Sequence, residues 1–221
     1  MIPLLLILIA AVSYFLGSLS SPLLIARFVF HRNIHRPGKT VTFAAFVKAF
    51  GTKWGAAVVV LDILKSVIAV LVGALLMRIP GNGFPVIGTL FAGFCLVLGD
   101  VFPIQRGFRG GKGVTCLLVA LWIADWRIGI FATGVFIAVL ALAQYMSLAS
   151  LSACFVGVIA TWIFVEAEQL KGLAGLLVLF AFLLILWRHR GNIGKLLAKP
   201  IQEPKINWGR RPESRLREDR F

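Results

Sequence analysis

The sequence predicts an all-α polytopic membrane protein of seven transmembrane helices, with its amino terminus outside and its carboxy terminus in the cytoplasm. Three observations predict it: an apolar content too high for a soluble core, seven separate apolar segments, and basic residues concentrated in alternate connections. Of 221 residues, 59% are hydrophobic and 14% charged, with mean hydropathy +0.92. A soluble domain of this size cannot hide so much apolar surface.

Seven segments are apolar enough to enter about 30 Å of hydrocarbon, near residues 2–29, 54–78, 84–102, 112–125, 127–145, 148–166 and 170–187. The fourth is the shortest. The first begins Met-Ile-Pro with no basic residue ahead of it, so it reads as a retained span and not as a signal peptide. Within it, Gly17-Ser18-Leu19-Ser20-Ser21-Pro22 brings in small hydroxyl residues and a proline without an N–H. Such a break either opens a helix that lines a site or bonds its hydroxyls back to the backbone. The second segment carries Asp62 and Lys65, three residues apart on one helical face. An ionisable group at that depth costs about 2.5–3.5 kcal/mol on insertion scales, so both should face the bundle interior. They form either a structural pair or a contact to a loop or a phosphate.

Lysine and arginine orient the bundle. Nineteen of the 23 lie in the connection after the first segment, the connection before the fourth, and the tail; the alternate connections hold only Arg78, Arg127 and Lys171. The positive-inside rule then places the tail in the cytoplasm, and seven crossings give that parity. The formal net charge of +14 follows from this topology and a basic tail over 198–221, distinct from a membrane domain over 1–197. Nucleic-acid binding is not needed to explain it, although the tail suits anionic lipid. Cys95, Cys116 and Cys154 lie within spans, odd in number and without ligand spacing to His31, His35 or His189, as structural thiols do. The chain shows no repeat of helical hairpins, which weakens a carrier reading.

The candidate chemistry gathers on the cytoplasmic side. Gly107-Phe108-Arg109-Gly110-Gly111-Lys112-Gly113 precedes the fourth segment. A glycine-rich turn at a helix start can aim several backbone N–H groups and two cations at one anion, a phosphate above all. The Tyr145-Met146-Ser147-Leu148-Ala149-Ser150 corner and the Arg188-His189-Arg190-Gly191-Asn192 exit of the last segment share that face by parity. The serines of the corner are expected to cap their helix. Asp100, close to the glycine-rich run, would repel an anion unless protonated, held as a helix cap, or paired. Pairing with Arg106 or Arg109 is the expectation.

In these motifs the sequence resembles the acyl-phosphate:glycerol-3-phosphate acyltransferases, the PlsY family of bacterial inner membranes. The likeness runs from about Gly17 to Leu197 and rests on Gly-Ser-Leu-Ser-Ser-Pro at 17–22, Leu-Asp-Ile-Leu-Lys at 61–65, Gly-Asp-Val-Phe-Pro at 99–103, Phe-Arg-Gly-Gly-Lys-Gly-Val at 108–114, Ser-Leu-Ala-Ser-Leu at 147–151 and Arg-His-Arg-Gly-Asn-Ile at 188–193. The resemblance implies a multi-pass protein of the bacterial inner membrane with seven spans. It also implies transfer of a fatty acyl group from acyl phosphate to glycerol 3-phosphate, giving lysophosphatidic acid for phospholipid synthesis without metal or organic cofactor. Lys112, Ser147, His189 and Asn192 would be the catalytic set. Arg109, Gly110, Gly111, Gly113, Lys48, Asp62 and Lys65 would contact phosphate or substrate.

The first cytoplasmic loop departs from the family. An ungapped register lays the family's Gly-Ser-Gly-Asn-Ile-Gly-Ala-Thr-Asn-Val-Leu-Arg on residues 37–48. The family serine falls at Gly38, its asparagines at Thr40 and Ala45, and its arginine at Lys48. The family histidine before Phe-Pro is Asp100, and its glutamate before Asn192 is Gly191; Lys39 and Thr40 are possible substitute phosphate contacts. Alternatives to the same reaction are transfer to a different acceptor, or a non-catalytic paralogue that binds acyl phosphate or lipid beside a working partner enzyme.

Overall fold

The computed structural model describes residues 2–32, 34, 41, 43–78, 84–165, 168–198 and 200–203. Gly38, Lys39 and Thr40, and the tail after Glu203, lie outside the described residues. The described chain is helical throughout: α1 (Ile2–Ser18), α2 (Ser21–Phe28), α3 (Phe43–Phe50), α4 (Thr52–Leu76), α5 (Pro85–Val101), α6 (Val114–Ala124), α7 (Trp126–Ala143), α8 (Met146–Phe164), α9 (Glu168–Arg188) and α10 (Arg190–Leu197).

Each apolar segment became a helix whose ends fall close to the expected ones, but they do not all have the length of a crossing. Among the described residues, five stretches are long and apolar enough to span a bilayer, and a sixth results if α1 and α2, bent by 57°, make one crossing. Helix α6, the fourth expected span, is too short to be counted with them by length. Its 11 residues extend only about 16 Å, because Lys112 and Gly113 belong to the preceding loop and Asp125 stops the helix. The sequence pattern also missed α3 and α10, two eight-residue helices in what read as a polar connection and as the exit of the last segment.

Helix α5 is the centre of the bundle. Two-thirds of its span is buried (67%), against 17–50% for the other four, and it packs against α1, α4, α6 and α9. The α1–α5 crossing is close because it meets glycine on both sides: a methyl at Gly17 would strike the Leu96 carbonyl, and one at Gly99 the Tyr14 carbonyl. Small residues at such a crossing let two backbones touch where lipid offers no hydrophobic drive to association. On the outside, Leu4, Leu75, Ile137, Ile163 and Phe180 are each more than half exposed, as lipid-facing side chains are.

The α1–α2 break is held from α4. Pro22 lies in the first turn of α2, where its missing N–H costs nothing. The Leu19 carbonyl left at the break accepts a bond from Lys65 Nζ (2.8 Å), and Ser21 Oγ donates to Asp62 Oδ1 (2.6 Å). Lys65 and Asp62 pair with each other at 2.7 Å. Of the two readings of the break hydroxyls, Ser18 follows the backbone one, bonding to the Phe15 carbonyl, whereas Ser21 reaches across to α4. Lys65 is buried and Asp62 partly so. Removing one partner of such a pair strands the other charge, which costs about 3–5 kcal/mol. Lys65→Ala should therefore lower stability by about 3 kcal/mol in a detergent unfolding titration, and Asp62→Leu with Lys65→Leu should restore part of it. A single variant as stable as wild type would contradict this account of the break.

Candidate functional site

At the end of α5 the chain makes a tight turn through Ile104–Arg106 and doubles back. Gly107 and Phe108 adopt left-handed backbone (φ 57° and 61°). The glycine-rich segment then wraps the last turn of α5. Gly110 N–H donates to the Val101 carbonyl (3.2 Å) and Gly111 N–H to the Asp100 carbonyl (2.8 Å). Gly113 N–H donates to Asp100 Oδ2 (2.8 Å). A side chain at Gly111 would run into the Asp100 carboxylate, and Gly113 holds φ at 75°. These positions require glycine for reasons internal to the protein.

This corrects the anion cradle expected of Gly110, Gly111 and Gly113. Their amides are already engaged, and the anion at the start of α6 is the chain's own Asp100. A carboxylate there complements the positive end of the helix. The expected pairing of Asp100 with Arg106 or Arg109 gives way to this capping role, and the Arg106 guanidinium donates to the Ser18 carbonyl at 3.3 Å. Lys65, Asp62 and Arg106 are the charges that act on Asp100 from around it.

The outward side of the loop is fixed by Arg188, the last residue of α9. Its Nε donates to the Gly111 carbonyl (3.0 Å) and its Nη2 to the Gly110 carbonyl (2.8 Å). One guanidinium thus ties the loop before α6 to the α9–α10 junction and sets the position of Lys112. Burial holds the Lys112 ammonium below its ordinary pKa, Arg188 and Lys195 push in the same direction, and Glu203 opposes them.

Three further groups converge there. Ser147, buried in the first turn of α8, accepts a bond on Oγ from Asn192 Nδ2 (2.6 Å), and its N–H donates to Glu203 Oε1 (3.1 Å). His189 is 1% exposed, and its Nδ1 lies 2.8 Å from the Ile185 carbonyl. A carbonyl only accepts, so Nδ1 carries the proton and the neutral ring keeps a lone pair on Nε2. Burial first, and then the nearby Lys112 charge, lower the His189 pKa to about 4. The serines do not cap α8 as expected. The cap position is Tyr145, whose side chain does not cap the helix, and Ser150 Oγ bonds back to the Met146 carbonyl.

The structure therefore brings Lys112, Ser147, His189 and Asn192 together from three distant stretches. Gly110, Gly111 and Gly113 adjoin Lys112 in the same loop, and the other candidates lie elsewhere. Lys48 is exposed on α3, Asp62 and Lys65 serve the α1–α2 break, and Arg109 is exposed at the loop tip. Two residues were missed. Arg188 opens the Arg-His-Arg-Gly-Asn-Ile run and could have been read from it. Glu203 is the sole acidic residue between positions 169 and 212, inside a tail read as basic. Cys95, Cys116 and Cys154 are buried free thiols.

A model of the family described as "Glycerol-3-phosphate acyltransferase" matches residues 7–199. This chain belongs to the glycerol-3-phosphate acyltransferase family. Among its relatives, the glycerol-3-phosphate acyltransferase of Clostridioides difficile (strain 630) is 36% identical over 197 residues, 86% of this chain and 91% of that protein. That of Streptococcus pyogenes serotype M5 (strain Manfredo) is 32% identical over 212 residues, 92% and 94% of the two chains. Two crystal structures of PlsY, an integral membrane glycerol 3-phosphate acyltransferase, share the fold. Its glycerol 3-phosphate form superposes with TM-score 0.73 at 27% identity, covering 91% of this chain and 96% of that one. Its lysophosphatidic acid form gives 0.74 at 25% identity over 91% and 95%. The region matched by the family model includes α10 and ends at residue 199.

The His189 environment has a pH signature. Its ring titrates near 6.5 when unfolded and near 4 when folded, so between those values the unfolded chain holds the extra proton. The stability associated with the neutral ring is complete above pH 6.5 and is lost as pH falls through 4. Thermal midpoints measured from pH 7 to 4 should fall more steeply for wild type than for His189→Asn; parallel slopes would refute a buried neutral ring. In the loop, Arg188→Lys keeps the charge but loses the two-pronged hold on Gly110 and Gly111. It should reduce acyl transfer about 10-fold or more, with little change in thermal midpoint.

Proposed function

We propose that this protein is the membrane acyltransferase that moves a fatty acyl group from acyl phosphate to the 1-hydroxyl of glycerol 3-phosphate, releasing phosphate and lysophosphatidic acid. The observation that carries this reading is the convergence of Lys112, Ser147, His189 and Asn192 on one end of the bundle. Membership of the family and the resemblance to PlsY in its glycerol 3-phosphate form support the substrate. Both substrates bring phosphate to a lipid–water boundary. A half-buried ammonium and the Ser147 hydroxyl suit that charge better than an apolar cleft would.

In the reaction, the acceptor oxygen forms a bond to the acyl carbon and the acyl–phosphate bond breaks, leaving its electron pair on the departing phosphate. Lys112 stabilises that growing charge. The neutral His189, fixed through Ile185, offers Nε2 as an acceptor to a substrate hydroxyl. Its low pKa makes it an orienting group and a poor base at neutral pH. The hydroxyl proton passes to the acceptor's own phosphate. We place the site on the cytoplasmic face of a bacterial inner membrane and count the bent α1–α2 pair and the short α6 as crossings, giving seven with the amino terminus outside. The distribution of lysine and arginine supports this orientation.

The rewritten loop at Gly38, Thr40, Ala45 and Lys48 favours a second reading, the same donor with a different hydroxyl acceptor. One assay separates the two. Purified protein should release inorganic phosphate from palmitoyl phosphate in step with lysophosphatidic acid formation when glycerol 3-phosphate is present, and Lys112→Ala should lower kcat/KM about 100-fold. Turnover with other hydroxyl acceptors alone would support the second reading. An unaffected Lys112→Ala variant would remove the ammonium from the mechanism.

A further inference from the structure

After α10 the chain folds back on itself. Gln202 N–H donates to the Lys195 carbonyl (2.9 Å), and this turn delivers the Glu203 side chain into the site. Glu203 is 7% exposed. Its Oε1 takes the Ser147 amide at the positive end of α8 (3.1 Å), and its charge acts on both Lys112 and His189. Its other oxygen, Oε2, is buried with no hydrogen-bond partner among the described residues. A buried carboxylate oxygen left without a donor is costly and uncommon, and calls for a missing one.

The chemistry of that donor is constrained. A second anion would be repelled by the carboxylate, so phosphate does not satisfy Oε2; an O–H does. His189 Nε2, on the same cluster, is likewise an acceptor. One ammonium flanked by two acceptors matches a small molecule with one phosphate and adjacent hydroxyls. We propose that Glu203 is an acceptor-binding residue whose Oε2 takes a hydrogen bond from a hydroxyl of the polyol phosphate. Glu203 thereby selects a hydroxylated phosphate over a bare one. This rests on the functional reading above and adds to it a residue that lies outside the matched family region.

Equilibrium binding to the full-length protein in detergent tests it, with glycerol 3-phosphate, n-propyl phosphate and inorganic phosphate as probes. Propyl phosphate keeps the anion and lacks both hydroxyls. Wild type should prefer glycerol 3-phosphate over propyl phosphate by about 10- to 100-fold, the range expected for a hydrogen bond to a charged group. In Glu203→Ala the preference should fall to within about threefold, while inorganic phosphate binds as well or better. Glu203→Gln, which still accepts the Ser147 amide and so preserves the start of α8, should show an intermediate preference. An undiminished preference in both variants overturns the proposal and leaves the functional reading standing. Equal tightening of all three probes also overturns it, since the carboxylate would then be a plug occupying the phosphate position. A wild type that binds propyl phosphate as well as glycerol 3-phosphate overturns both readings together.

Discussion

The site depends on one carboxylate at the end of the central helix. Asp100 accepts the Gly113 amide with its side chain and the Gly111 amide with its main chain. This folds the glycine-rich segment against α5 and starts α6 at Val114. Lysine, aspartate and arginine side chains around it come from α4 and from the turn after α5. The same acid therefore links the break in the first crossing to the loop that carries Lys112. Arg188 closes the arrangement from the opposite side by taking the two carbonyls that the wrapped loop turns outward.

The division of labour follows from that geometry. The loop backbone is occupied in holding itself, so side chains are left to meet a ligand. The Ser147 amide is taken by Glu203, Asn192 orders the Ser147 hydroxyl, and His189 remains neutral because it is buried beside an ammonium. On the proposed reading, a cation beside neutral and anionic acceptors would discriminate among phosphates by what else they carry.

The helices were legible in the sequence because apolar runs bounded by polar turns fix where a chain enters and leaves lipid. The bend was legible too, since Gly17-Ser18-Leu19-Ser20-Ser21-Pro22 cannot continue a straight helix. The four residues that lie together were legible because glycine, lysine, serine, histidine and asparagine stand in recognisable runs at helix ends. What failed was direction. Four glycines say that the backbone is free to turn, but not which carbonyl or carboxylate its amides will meet, and here they met Asp100. Composition hid Glu203: one acid among many bases reads as part of a charged tail, and only the return of the chain after Leu197 gives it a place. The length of α6 was obscured because Lys112 and Gly113 adjoin an apolar run that continues beyond them.

The shortness of α6 has a physical consequence. A helix of roughly 16 Å covers about half the thickness of an oily layer, so in the seven-crossing arrangement proposed above the loop that begins it would be recessed toward the acyl region. Irregular backbone survives at such depth only when enclosed by protein or by a wet recess, and the bonds from Asp100, Val101 and Arg188 supply the enclosure. On the functional reading proposed above, an activated fatty chain would present its reactive carbonyl there while its methylenes stay in oil, and the small soluble partner would enter the recess from water.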